Sequence, residues 1–265
     1  TPHIIDYGRL FPFKFSHDMV REAAFSILGS KVVEARKLII EHLKTELAED
    51  CSYKSGKVLG SMSTYPDEDA ARIFYEFIEK NAGDPNIFLG THKIERKVIS
   101  ILGNFFHNPT VAGNIVSGGS EANVIGLWAA RNYMRNTKKI SGPLEIIAPE
   151  TRHTSIDKAA DLLDLKLTLI STNKDFEINV NEVIEKISER TIAIVGIAGS
   201  TVYGSIDDIR ALSDIAVDHN VWLHVDAAFG GFVFPFIRNS RIFDFRLDGV
   251  KSLSLIHISE PTRLG

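Results

Sequence analysis

The sequence has almost no cysteine: Cys51 is the single thiol in 265 residues. One thiol supports neither an intrachain disulfide nor a cysteine-based zinc site, so the fold must rest on its core, as suits a reducing cytoplasm. Charge of one sign is also lacking. Thirty Lys and Arg against 34 Asp and Glu leave a net charge of −4, with no basic field to draw nucleic acid or anionic lipid. No apolar run reaches the length of a membrane span. Arg9, Lys14, Asp18 and Arg21 interrupt any signal-peptide core,. The one near-sequon, Asn108-Pro109-Thr110, is excluded by its proline,. There is no initiator Met at Thr1, which implies a processed start or a fragment. No internal repeat is visible. What remains is 44% hydrophobic and 24% charged, a globular balance with enough chain for one large domain or two small ones.

Apolar periodicity predicts helices over 31–50, 68–81 and 91–106, with a turn at Gly83-Asp84-Pro85,. From Asn114 onward the rhythm becomes strand and helix in alternation. Strands are expected at 114–117, 144–148, 166–170, 191–197, 221–226 and 249–255, and helices at 120–136, 154–163, 179–189 and 207–219. Asp207 or Asp208 is a candidate N-cap for the last helix. The runs 191–198 and 221–226 are nearly all apolar, as in strands buried on both faces of a mostly parallel α/β sheet. Ligands on such sheets gather beyond the C-terminal strand ends. Ser117-Gly118-Gly119, Ala198-Gly199-Ser200-Thr201 and Asp226-Ala227-Ala228 therefore point to one rim.

Ser117-Gly-Gly-Ser-Glu-Ala-Asn123 has the form of an anion cradle, since free N–H groups and the helix dipole favour a phosphate there. A tight strand–helix turn capped by Ser120 accounts for the same residues. Asp226 ends a buried strand, where an acid is costly unless paired. Its partner is a metal, an arginine or a protonated heterocycle nitrogen, or else Asp226 caps a neighbouring loop. Ala227-Ala228 and Gly230-Gly231 leave room for a flat group. Strand alternation puts His224 and Asp226 on one face, but no third metal ligand has convincing spacing. His153 stands on the same rim. Ser155-Ile-Asp-Lys158 matches a serine-hydrolase tetrad without its companions and reads as a helical turn. Cys51 is expected to be inert, His92, His107 and His219 to lie on the surface, and Trp128 and Trp222 in the core.

Taken together, Gly60-Ser-Met-Ser, Gly83-Asp-Pro, Ile115-Val-Ser-Gly-Gly-Ser-Glu-Ala-Asn123, His153, Gly196-Ile-Ala-Gly-Ser-Thr201, His224-Val-Asp-Ala-Ala-Phe-Gly-Gly231 and Phe243-Asp-Phe-Arg resemble the fold-type-I, pyridoxal-phosphate-dependent group II decarboxylases. Within them the chain is most similar to the archaeal L-tyrosine/L-aspartate decarboxylases, from about residue 45 to 255. The resemblance implies a pyridoxal 5'-phosphate large domain over 51–255, preceded by a helical segment over 1–50 and lacking a C-terminal small domain. It implies a homodimer when intact and a small amino-acid substrate, aspartate giving β-alanine or tyrosine giving tyramine, in coenzyme A or methanofuran biosynthesis. By resemblance, Gly119 and Ser120 hold the phosphate and His153 stacks on the ring. Asp226 pairs with the ring nitrogen, Ala228 packs against the ring and Thr201 lies beside it.

One departure stands out. The family follows Gly-Val-Lys-Ser shortly with Asp-Pro-His-Lys, whose lysine forms the Schiff base, whereas Gly249-Val-Lys-Ser-Leu-Ser254 here runs into Leu255-Ile-His-Ile-Ser-Glu-Pro-Thr-Arg-Leu-Gly265. Lys251 matches the earlier, non-catalytic lysine. Residues 256–265 resemble translated sequencing-adapter read-through and are expected to lie outside the fold. The chain as given is therefore expected to be an inactive fragment. Two other readings stand beside this one: a sphingosine-phosphate-lyase-like carbon–carbon lyase, and a non-catalytic binding or scaffold protein.

Overall fold

The computed structural model describes residues 34–58, 65, 67–138 and 142–256. The chain divides into two compact units, Thr1–Val58 and Leu59–Gly265. In the first, residues 34–47 form an exposed helix (α1), and a 3-10 turn follows at Tyr53–Ser55, where the Ser52 hydroxyl accepts from the Lys54 N–H. Cys51 is exposed. The start of the helix expected over 31–50, and the Gly60-Ser-Met-Ser motif, lie outside the described residues.

The second unit opens with α2 (Glu68–Glu76) and α3 (Leu89–Phe105). Asp67 caps α2 by accepting from the N–H groups of Asp69 and Ala70. Then come α4 (Gly119–Lys138), β1 (Leu144–Pro149), α5 (Thr154–Leu162), β2 (Leu165–Ile170), α6 (Val180–Lys186), β3 (Thr191–Ile197), α7 (Ile209–Asp218), β4 (Trp222–Asp226) and β5 (Val250–Ser254). The five strands form one parallel sheet in the order β2-β1-β3-β4-β5.

Every residue of β1 and β3 is buried, because helices cover both faces. Alternation sorts the side chains. Leu144, Ile146, Ala148, Ala193 and Val195 pack with Leu127, Ala130 and Met134 of α4 and Ile156 and Ala159 of α5. Ile147, Ile194, Leu223 and Val225 pack with Ile209, Leu212 and Ile215 of α7 and Val183 of α6. His224 and Asp226, one residue out of phase with Leu223 and Val225, therefore face the α4 side.

The segment 114–117 is not a strand. Ile115 is mostly exposed, and its N–H donates to the Glu95 carboxylate rather than to a ladder. Trp128 is not in the core either. The inward stripe of α4 runs Gly119, Asn123, Leu127, Ala130 and Met134, which leaves Trp128 49% exposed. Asp208 is the cap of α7, accepting from Ala211 N–H.

Candidate cofactor site

The direction of strand addition reverses at β1, with β2 on one side and β3 on the other. Loops leaving such neighbours part and open a crevice at their C-terminal ends. A cavity of about 340 Å³ lies at that end, within the range of small-molecule sites. Thr151 and His153 reach it from the end of β1. Ile197, Gly199, Ser200 and Thr201 come from β3, and Asp226, Ala228 and Phe229 from β4. Gly119, Ser120 and Asn123 open α4, and Ile256 follows β5. The six residues singled out in the sequence, Gly119, Ser120, His153, Thr201, Asp226 and Ala228, thus share one wall-to-wall space.

The α4 end of the cavity is built for an anion. Ala122 N–H makes the first helical bond, to the Gly118 carbonyl, so the N–H groups of Gly119, Ser120 and Glu121 stand ahead of it,. Glu121 reaches back to accept from both the N–H and the hydroxyl of Ser117 at 2.7 and 2.6 Å. Those bonds hold its carboxyl below the usual range and turn it toward Ser117.

Asp226 is 5% exposed and surrounded by donors. Oδ1 accepts from Ala228 N–H (3.1 Å) and Ser254 Oγ (3.3 Å), and Oδ2 from Asn123 Nδ2 (2.9 Å). Asn123 Nδ2 also donates to Ser155 Oγ (2.8 Å), which bonds His153 Nδ1 (2.9 Å). His153 Nδ1 accepts as well from Ser155 N–H, capping α5. On the far side, Asn123 Oδ1 meets His224 Nε2 at 2.9 Å. Burial pushes the His224 imidazole down to about 4, against the opposing pull of Asp226. His224 is thus a neutral partner of Asn123. Among the described residues no three His, Cys, Asp or Glu side chains gather as a metal site.

The two glycines after Asp226 do not leave the room expected of them. A Cβ on Gly230 would lie 2.2 Å from the Phe234 ring and 2.3 Å from the Ala198 carbonyl oxygen. One on Gly231 would lie 2.4 Å from Leu255. They let the loops after β3 and β4 touch, while Ala228 supplies the open wall. Gly199, at φ +98°, faces Gly230 across the same contact,.

The residues present fit pyridoxal phosphate. The Thr151 hydroxyl is buried, lines the cavity and has no hydrogen-bond partner, which is the mark of a group awaiting a ligand. The cavity offers donors for a phosphate at one end and a donor-ringed carboxylate for a protonated ring nitrogen at another. Among the described residues, no lysine lines it. Sequence reasoning passed over Asn123 and Thr151. The signal for Asn123 was an amide four residues before buried Leu127, on an otherwise apolar helix stripe; Thr151 carried none. His92 also departs from its expected surface position: it is 19% exposed, with Nδ1 3.3 Å from Glu95. His107 sits against buried Asp244 at 3.1 Å.

A parallel sheet wrapped by helices, with this crevice at its switch point, defines a fold-type-I domain of the pyridoxal-phosphate-dependent class. Residues 75–257 match the pyridoxal-dependent decarboxylase conserved domain, and the chain belongs to that family. Curated archaeal proteins named L-aspartate or L-tyrosine/L-aspartate decarboxylase, some of them as probable, match at 40–45% identity. The L-aspartate decarboxylase of Thermococcus kodakarensis is 45% identical over 231 residues, covering 86% of this chain and 58% of the relative. Lactobacillus brevis glutamate decarboxylase superposes with a TM-score of 0.74 at 28% identity, over 84% of this chain and 53% of that one. Burkholderia pseudomallei sphingosine-1-phosphate lyase gives 0.71 at 26%, over 83% and 54%. The chain spans a little over half the length of the relatives it matches.

Proposed function

We propose that the protein of which this sequence is part decarboxylates an L-amino acid with pyridoxal phosphate, and that L-aspartate is its substrate. The observation that carries this reading is the convergence of Asp226, His153, Thr201 and Ser120 on one cavity, together with the decarboxylase family match. When bound, the cofactor supplies an electron sink for the pair released as CO₂ leaves. The N–H groups at the start of α4 and the Ser120 hydroxyl hold its phosphate. Asp226 holds a proton on the ring nitrogen, because its own donors keep the carboxylate in place. His153 and Ala228 confine the ring, and Thr201 lies beside it. The aspartate assignment rests on the name of the Thermococcus relative, and tyrosine is the competing substrate. The lyase reading is weaker: its structural neighbour is 26% identical, against 40–45% for proteins named decarboxylases.

The test is CO₂ release from carboxyl-labelled L-aspartate and L-tyrosine by the full-length protein encoded at the locus. Release from neither refutes the assignment. The 265-residue chain itself, with no lysine at the cavity, should release CO₂ no faster than free cofactor. We place the protein in the cytoplasm, from its lone thiol, and expect a homodimer, to be checked by light scattering of the full-length protein. No helix among the described residues is long and apolar enough to cross a membrane.

A further inference from the structure

We propose that Asn123 is the positioning residue of the cavity: it fixes Asp226 and, through Ser155, His153 in one relation, while His224 and Ser252 fix Asn123. The proposal rests on the cofactor reading above and adds residues that act through others.

The hydrogen bonds run in one consistent direction. Trp222 Nε1 donates to Ser252 Oγ at 2.8 Å. The Ser252 hydroxyl then gives its own proton to His224 Nδ1 at 2.8 Å. His224 Nε2–H donates to Asn123 Oδ1, and both Asn123 N–H bonds are spent, on Asp226 and on Ser155. The carboxylate selects this arrangement. Turning the amide over would set Oδ1 against Asp226 Oδ2, two acceptors 2.9 Å apart in a buried place,. One strand, β4, and two helices, α4 and α5, are tied by one amide, which spans 103 residues to Asp226, 101 to His224 and 32 to Ser155.

The helix is shaped around this chain. Gly126 sits inside α4, where glycine is a weak helix former. A Cβ there would lie 2.6 Å from His224 Cε1 and 2.7 Å from Nδ1. The imidazole fits because position 126 has no side chain. His224 itself does not line the cavity, and burial keeps it neutral. Its remaining role is to aim Asn123.

The experiment uses the full 265-residue chain with N123L, H224L and H224Q. Leucine keeps the Cγ branching of Asn123, in a bulkier side chain, without its bonds, and glutamine keeps an N–H toward Asn123 Oδ1. Two quantities are read: the dissociation constant of pyridoxal 5'-phosphate by tryptophan quenching, and the pH at which the bound chromophore loses its ring-nitrogen proton. Melting temperatures are recorded beside them. N123L and H224L should bind about tenfold more weakly and lose the ring proton at lower pH, while H224Q should stay within about threefold of wild type. A general loss of packing would move melting but leave the chromophore titration where it was. Wild-type affinity and titration in N123L overturn the role of Asn123 and leave the cofactor reading intact. A wild-type chain that binds no pyridoxal phosphate overturns both. If N123L does not fold, H224L and H224Q decide, and equal affinities in those two overturn the proposal.

Discussion

Two residues carry consequences that their neighbours do not share. The Thr151 hydroxyl has no partner within the protein, so removing it deprives only a ligand. T151V should leave the melting temperature unchanged or raise it, because an unsatisfied buried group disappears. The same variant should weaken pyridoxal phosphate binding several-fold in a fluorescence titration. His224 has the opposite character. Its folded pKa of about 4 lies below the unfolded 6.5, so in that window the unfolded chain binds the extra proton. Stability from His224 is complete above about pH 6.5 and is lost as pH falls toward 4. Urea midpoints at pH 7 and pH 5 should therefore converge in H224Q relative to wild type. The rim position of Asp226 was legible because it ends a buried strand beside small residues, and that of His153 because it follows a strand and a short loop just before a helix. Thr151 was not, because the lack of any partner leaves no local pattern, and Asn123 left only an amide in an apolar stripe, since its partner lies 103 residues away.

At the scale of elements, the alternation of β and α was readable from apolar runs, and five of six expected strands formed. The exception, 114–117, has the right residue types but nothing to pair with, and a glutamate from α3 takes its N–H. Ladder pairing separated the true strands from it, and pairing depends on neighbours that composition cannot name. The end of β3 shows how an element is aimed. Asp207 accepts from Ile197 N–H with Oδ2 (2.8 Å) and from Ile178 N–H with Oδ1 (2.7 Å), clamping the strand that leads to Gly199, Ser200 and Thr201 to the segment before α6. Burial raises this carboxyl to about 6 despite those two donors. Between 3.8 and 6 the native chain binds the extra proton, so the Asp207 contribution to stability falls as pH rises through that window. D207N should cost about 1–3 kcal/mol near pH 4–5, where one N–H loses its acceptor, and less at pH 7. Chemical denaturation at the two pH values measures the difference.

For the whole molecule, the fold class and the rim were legible because a parallel sheet confines its ligands to one end. The surface was not. Ile73, Phe74, Tyr75 and Ile78, near α2, and Leu89, Ile94 and Ile101 of α3 are each more exposed than buried. So large an apolar surface on one unit is what an interface or a further part of the protein covers.

The amide that joins α4 to β4 also sets the order of events when the chain folds. Contacts between residues a hundred positions apart form only after the intervening loop has closed, and parallel strands separated by helices are slow to meet. The sheet from β1 to β3 is built from neighbours in sequence, whereas the cavity needs α4, β4 and Ser254 of β5 together. Ligand capture is therefore expected as the final act of maturation. In stopped-flow refolding with pyridoxal phosphate present, far-ultraviolet ellipticity should recover first and cofactor binding should follow in the slowest phase. Binding that keeps pace with the ellipticity would mean that the crevice forms before its last strand is in place.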